Sequence, residues 1–180
     1  MENTEKKITI LIISFKSGKI IEKCLNSIEE KLEIIIIDNS SDAETKNKIE
    51  KEYKNVKVIL QPNNGFGSAI NFGVKSCNSE YIFLVTPDVT LEKNAIHKLL
   101  LEAQRLKNDF ALLAPINFLS DEKDPKKVEK ISEQVFLINR KKFEEIGGFD
   151  ENIFLYYEET DLCKRFKIKG EKLYLIPSAR

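Results

Sequence analysis

An α/β fold built on a mainly parallel sheet is predicted by three features of the sequence. Short β-branched runs recur through the first two thirds of the chain. Segments with apolar residues at helical spacing separate them. Several runs stop at a polar or acidic residue followed by a turn, as at Ser14, Asp38 and Asp88. A β-α-β-α order of this kind lays helices on both faces of a sheet. Its ligands bind beyond the carboxyl ends of the strands. At 180 residues the chain is long enough for one domain with a sizeable core.

Each element has a local reason. Ile8–Ser14 is a largely β-branched run, which predicts a buried strand. Ser17 is expected to cap a helix whose apolar face is Ile20, Ile21, Cys24, Leu25 and Ile28. Glu33–Asp38 is a second buried strand, ending on a carboxylate. Residues 43–53 have helical but polar character, so that helix forms an exposed layer. Val56–Leu60 is a third strand, Gly67–Ser76 a short helix and Tyr81–Val85 a fourth strand that stops at Thr86-Pro87-Asp88. Thr90 is expected to cap a helix reaching about Lys107, with Ile96, Leu99, Leu100 and Ala103 on one face. Phe110–Ala114 is a fifth strand. Ser14-Phe15, Asp38-Asn39 and Pro87-Asp88 should therefore converge on one rim.

The pattern changes after residue 115. Ser120–Lys130 is charged and contains Pro125, which reads as an exposed loop. Gln134–Asn139 is read as a strand and Arg140–Ile146 as a short helix, before a sharp break at Gly147-Gly148-Phe149-Asp150. Glu158–Lys169 is a last helix closed by Gly170, and Lys172–Ile176 a final strand.

Composition narrows the function. Lys+Arg and Asp+Glu are each 29, so no basic field draws the chain to nucleic acid. The three cysteines are far apart and form no C-x-x-C, which argues against a disulfide framework or a structural zinc site and favours a reducing cytoplasm. Met1–Glu5 is polar and acidic, unlike a signal peptide, and no apolar run reaches the ~20 residues needed to span a bilayer. A cytoplasmic protein is expected.

Four segments could carry chemistry. Asp38-Asn39-Ser40-Ser41-Asp42 puts a carboxylate where it can accept from a nucleobase N–H or a ribose hydroxyl; a turn with a helix cap is the simpler alternative. Asn63-Asn64-Gly65-Phe66-Gly67, with Asn71 and Gly73, would let a ligand approach the backbone at a helix start, or is a plain strand-to-helix turn. It lacks the third glycine of a dinucleotide fingerprint and the Lys-Ser/Thr of a phosphate loop. Asp88 suits a hard cation held by one or two carboxylates plus diphosphate oxygens, or is an ordinary turn residue. Glu158, Glu159 and Asp161 open a helix, where acidic residues favourably face the dipole; the functional reading is a general base whose aromatic neighbours raise a carboxyl pKa. His97, the sole histidine, sits mid-helix beside Ile96 and reads as a packing or surface residue.

In this order the segments resemble the family 2 glycosyltransferases, in particular their rhamnosyltransferase-like branch. Ile12-Ile13-Ser14-Phe15-Lys16-Ser17 is similar to the family's first strand and turn. Asp38-Asn39-Ser40-Ser41 is similar to its base-binding strand end, and Asn63–Gly67 with Asn71 and Gly73 is close to a signature of the branch. Thr86-Pro87-Asp88 stands at the metal-binding motif, and Gly147–Glu151 followed by Glu158–Leu162 at the acceptor segment. The likeness runs from about residue 8 to 179.

The resemblance implies a GT-A fold, that of the nucleotide-diphospho-sugar transferases, with a donor half over 8–115 and an acceptor and base half over 116–180. It implies a nucleotide-diphospho-sugar donor, a glycan or lipid-linked acceptor, inversion at the anomeric carbon, and Mg²⁺ or Mn²⁺ as cofactor. Surface polysaccharide synthesis is the implied setting, with peripheral contact at the inner face of a membrane. Ser14, Phe15, Asp38, Asn39, Asn64, Gly65, Asn71 and Pro87 would contact the donor. Asp88 would hold the metal. Glu159 would be the base, with Glu158 and Asp161 supporting the acceptor. Thr86 replaces the family's Asp or Asn, and Glu159 its Asp. These two departures motivate a second reading, a nucleotide-sugar-binding module with little or no turnover. A receiver-like signalling domain fits poorly, because Ser14-Phe15-Lys16 stands where that class needs an acidic pair. Family members usually continue past the last strand with a histidine-bearing segment, which His97 cannot match, so the second half is expected to be truncated.

Overall fold

The computed structural model describes residues 7–28, 31–116, 124–131 and 135–179. Met1–Glu5, Ser120–Lys123 of the predicted loop, Gln134 and Arg180 lie outside the described residues. Eight strands form one sheet: β1 (Ile8–Ser14), β2 (Glu33–Asp38), β3 (Val56–Leu60), β4 (Tyr81–Val85), β5 (Leu112–Pro115), β6 (Lys126–Val128), β7 (Val135–Asn139) and β8 (Leu173–Ile176). Their spatial order is β3-β2-β1-β4-β7-β5-β8-β6. β1, β2, β3 and β4 are parallel, and β5 pairs parallel with β8. β7 runs antiparallel to both β4 and β5, and β6 antiparallel to β8. Six strands therefore point one way and two the other, as the mainly parallel expectation required.

Helices cover both faces. α1 (Ile20–Asn26), α2 (Ala43–Glu52) and α4 (Ala95–Arg105) pack on one face with Ile10, Ile12, Ile34, Ile36, Phe83 and Val85. α3 (Phe66–Lys75), α5 (Arg140–Glu145) and α6 (Glu158–Ile168) pack on the other with Leu11, Ile13, Ile35, Ile37, Ile82 and Leu84. Successive strand residues point to opposite faces, and both faces are covered. That is why β1, β2 and β4 are apolar on both faces along most of their length. Burying each such side chain contributes about 1.5–3 kcal/mol.

The outer edge at β3 is closed by its own helix. Lys46 on α2 donates to the Val58 carbonyl at 2.7 Å, and Glu50 accepts the Val58 N–H at 2.8 Å. Both backbone groups of Val58, at the middle of this edge strand, are thereby met.

Three expectations are corrected. Ser17 does not cap α1: the cap position is Lys19 without a side-chain bond, while the Ser17 hydroxyl pairs with Ser14 at 2.9 Å. Thr90 does not cap α4, which begins at Ala95 behind Asn94 in a left-handed conformation (φ 62°). Leu91 is buried in the core and its N–H donates to the Ser27 hydroxyl at 3.1 Å, so residues 90–94 are pinned to α1 instead of winding. Within the predicted charged loop, Lys126–Val128 is the edge strand β6, whose outward lysines discourage further pairing. Elsewhere the local signals hold. Asp42 caps α2 by accepting the Thr45 N–H at 3.0 Å, and Gly170 ends α6 at φ 78°.

Candidate active site

The carboxyl ends of the parallel strands make one rim. Ser14 is in register with Asp38, Ile12 lies opposite Val85, and the Asn39 N–H donates to the Ser14 carbonyl at 2.8 Å. Ser14-Phe15, Asp38-Asn39 and Pro87-Asp88 thus leave their strands at the same end. A cavity of about 150 Å³ opens there, lined by Ser14, Phe15, Asn39, Asn63, Gly65 and Phe154 among others.

The predicted residues divide at this rim. Ser14, Phe15, Asn39 and Gly65 line the cavity. Asn64 is exposed and does not, while its neighbour Asn63 does. The Asn63 Oδ1 accepts the Gly65 N–H at 3.2 Å and the Asn39 amide at 3.5 Å. Either asparagine of the pair could have been chosen from sequence; the turn geometry selects the first.

Asp38 is buried beside the cavity and bonded within its own turn. One oxygen accepts from the Ser40 hydroxyl at 2.7 Å and the Ser40 N–H at 3.3 Å, and the other from the Asp42 N–H at 2.8 Å. A carboxylate has about four acceptor positions, so about one is left for a ligand. The turn reading and the binding reading are therefore compatible.

Asp88 is exposed beyond β4 and lies outside this cavity, as does Pro87. Its charge reaches Cys24 on α1: burial first, then the Asp88 carboxylate, push that thiol up to about 12. Thr86, two residues earlier, has a buried hydroxyl oxygen without a hydrogen-bond partner. No cluster of three metal-ligating side chains occurs among the described residues.

The opposite wall is a strap that returns to the rim because β7 runs backwards. β7 ends at the base of the sheet, α5 follows, and residues 147–157 climb back to the start of α6. The Phe66 N–H at the top of α3 donates to the Phe154 carbonyl at 3.0 Å. Phe154 and Leu155 line the cavity, and three residues later α6 begins with Glu158 and Glu159.

The carboxylates at that helix start differ in environment. Glu158 is only 3% exposed and one of its oxygens has no partner. Burial, reinforced by the Glu159 charge, raises its pKa against the opposing pull of its own backbone N–H. Glu159 is partly exposed. Asp161 accepts from Arg165 at 2.7 Å, and Arg165 also donates to the Ile146 carbonyl at 3.1 Å. That bond ties Asp161 to anchoring α6 on α5.

Asn71 is not at the rim. It is buried in α3, and its side chain bonds the strap at Phe149 and Glu151. Gly65 and Phe66 line the rim cavity, and Gly65 and Gly67 are also close-approach positions. A Cβ on Gly65 would lie 2.6 Å from the Phe154 carbonyl oxygen, and one on Gly67 would lie 2.9 Å from the Phe149 Cβ. Both glycines admit the strap.

The family model for "Glycosyl transferase family 2" matches residues 9–169. The chain belongs to glycosyl transferase family 2. It is 23% identical over 190 residues to the low-salt glycan biosynthesis hexosyltransferase Agl10 of Haloferax volcanii, covering 88% of this chain and 61% of that protein. It is 22% identical over 215 residues to the rhamnosyltransferase WbbL of Escherichia coli K12, covering 95% of this chain and 81% of that protein. The chain thus spans less than two thirds of Agl10. Among solved structures, that of GalNAc-T7 with UDP, GalNAc and Mn²⁺ superposes with a TM-score of 0.83 at 15% identity, over 95% of this chain and 42% of that one. That likeness establishes the GT-A fold for this family 2 chain.

Proposed function

We propose that this family 2 chain carries the donor site and base of an inverting glycosyltransferase. It would move a hexose, with rhamnose the favoured case, from a nucleotide-diphospho-sugar to a hydroxyl of a glycan or lipid-linked acceptor in surface polysaccharide synthesis. One observation carries the reading: the strap that walls the rim cavity with Phe154 and Leu155 runs directly into the acidic start of α6. A donor held in the cavity would therefore lie beside a proton acceptor.

In this reading Ser14, Phe15, Asn39, Asn63 and Gly65 surround the nucleotide, with Asp38 accepting from base or ribose through its remaining lone pair. The acceptor hydroxyl oxygen bonds to the sugar C1 as the C1–oxygen bond to the diphosphate breaks. The bonding pair leaves with the diphosphate, and the hydroxyl proton passes to Glu159. Attack from the face opposite the leaving group inverts C1. Glu158, buried next to Glu159, would support the acceptor site. Holding donor and acceptor in line supplies much of the rate.

The residues fit a divalent ion. Mg²⁺ or Mn²⁺ is commonly held by one or two carboxylates plus substrate phosphates, and Asp88 offers one exposed carboxylate near the unpartnered Thr86 hydroxyl. When bound, such an ion neutralises charge on the leaving diphosphate. Exposed Phe15, Phe154, Tyr156 and Tyr157 beside the site support an amphipathic, lipid-linked acceptor at the inner face of a membrane. No helix among the described residues is long and apolar enough to cross one.

The second reading, a nucleotide-sugar-binding module, is favoured by Asp88 being the only carboxylate at the metal position. A thermal-shift screen of UDP- and dTDP-sugars with and without Mn²⁺, paired with a turnover assay on the hits, separates the two. Stabilisation with Mn²⁺-dependent turnover supports the transferase. Stabilisation without turnover supports the module, and no stabilisation by any nucleotide sugar contradicts both.

A further inference from the structure

We infer that Asn71 is a positioning residue for transfer: through Phe149 and Glu151 it fixes the strap that walls the donor cavity and delivers the base helix. The inference rests on the proposed transferase reading for its kinetic part and on the geometry alone for its structural part.

Asparagine is a poor choice for the interior of a helix, and a buried amide must find partners. Asn71 is 6% exposed within α3. Its Oδ1 accepts the Phe149 N–H at 2.8 Å, and its Nδ2 donates to the Phe149 carbonyl at 2.9 Å and to Glu151 at 3.0 Å. No partner lies in its own helix; all lie 78 or 80 residues away. The strap is shaped to receive it. Gly148 stands at φ 72°, and a Cβ there would fall on the Asn71 Oδ1. Phe149 then packs over Gly67 and edge-to-face against Phe143, with ring centroids 5.6 Å apart.

From Phe149 to Tyr157 the strap has neither helix nor strand to hold it. Two attachments to α3 set its path: the Asn71 bonds at its foot, and the Phe66 N–H to Phe154 carbonyl bond at its top. Tyr156 and Tyr157 then take left-handed conformations (φ 68° and 69°) immediately before Glu158. With only these two attachments along it, a shift at the foot changes the path of the segment that forms the cavity wall and leads to the base. Misplacement by about 1 Å can cost on the order of a hundredfold in rate.

Asn71→Ala and the isosteric Asn71→Asp test this in the full chain. The aspartate keeps one acceptor but sets a carboxylate against the Phe149 carbonyl and Glu151. Three quantities are read: amide hydrogen exchange, UDP affinity with Mn²⁺, and turnover on the nucleotide sugars found in the screen. The expected result is exchange at least about tenfold faster at the Phe149 and Phe66 amides with β1 and β4 protection unchanged. Turnover should fall roughly ten- to a hundredfold, and by clearly more than UDP affinity falls. Glu151→Gln added to Asn71→Asp should restore part of the turnover, because the glutamine amide can donate to the new carboxylate.

Unchanged strap exchange in both variants overturns the inference, whether or not the chain turns over any donor. Faster exchange with wild-type turnover reduces Asn71 to a structural residue. Equal losses of turnover and UDP affinity place it in donor contact. If the wild-type chain has no turnover, the transferase reading fails separately and the exchange data alone decide the strap.

Discussion

Asn71 and Phe149 bond each other in both directions, amide oxygen to backbone N–H at 2.8 Å and amide nitrogen to backbone carbonyl at 2.9 Å. This pairing joins α3 to the segment that leads to the acidic helix start. It also explains why α3 presents small residues on that side. Gly65 and Gly67 are close-approach positions for the strap, and Gly73 is one for Leu11 on β1.

The glycines of α3 should separate by location. Gly65→Ala must adopt φ 102° and crowd the Phe154 carbonyl oxygen, so it should cost about 1–3 kcal/mol and weaken UDP binding as well. Gly73→Ala meets Leu11 Cδ2 at 2.8 Å, remote from the rim. Overpacking there should cost about 1–3 kcal/mol and leave UDP affinity unchanged. Urea unfolding and calorimetry on the two variants check the contrast.

Glu158 should make stability depend on pH. Its folded pKa is raised above the ordinary 4.5 by burial, then by Glu159. Between those two values the folded state binds more protons than the unfolded one. Its favourable contribution is therefore present below 4.5 and lost as pH rises through the folded value. Glu158→Gln removes that loss. Its urea midpoint should exceed wild type at about pH 7.5 and match it at about pH 4. Equal midpoints at both would contradict the assignment.

The thiols should be inert in the folded chain. Cys24, Cys77 and Cys163 are buried, and burial pushes Cys24 and Cys77 up to about 12 and raises Cys163. The thiolate is the reactive form. Ellman's reagent should find none of the three in native protein and all three in guanidinium.

Much of this fold was legible because its strongest signals are local. β1, β2 and β4 are almost wholly apolar, with Thr9 the one polar residue inside them, and burial on both faces leaves such runs little alternative. Asp42 and Gly170 announce a helix start and a helix end by their own chemistry. The errors arise where a distant partner overrides a local preference. Thr90 has the chemistry of a cap, but Leu91 is held in the core by Ser27. Lys126–Val128 looks like solvated loop, and only β8 makes it a strand. Gly67 and Asn71 carry contacts that no local signal announces: their partners are Phe149 and Glu151, contributed by a segment roughly 80 residues on. Of the cavity lining, Ser14, Phe15 and Asn39 were legible from strand ends and Gly65 from the helix start, whereas Asn63 was not distinguishable from Asn64 without the turn.

The most direct test of the account is calorimetric titration of UDP and dTDP into the wild-type chain and Asp88→Ala, each with and without Mn²⁺. Wild type should bind at least one nucleotide saturably, more tightly with Mn²⁺, and the Mn²⁺-dependent gain should be lost in Asp88→Ala. Absence of binding by either nucleotide in the presence of Mn²⁺ would contradict the donor site, and an undiminished Mn²⁺ effect in Asp88→Ala would contradict the metal position.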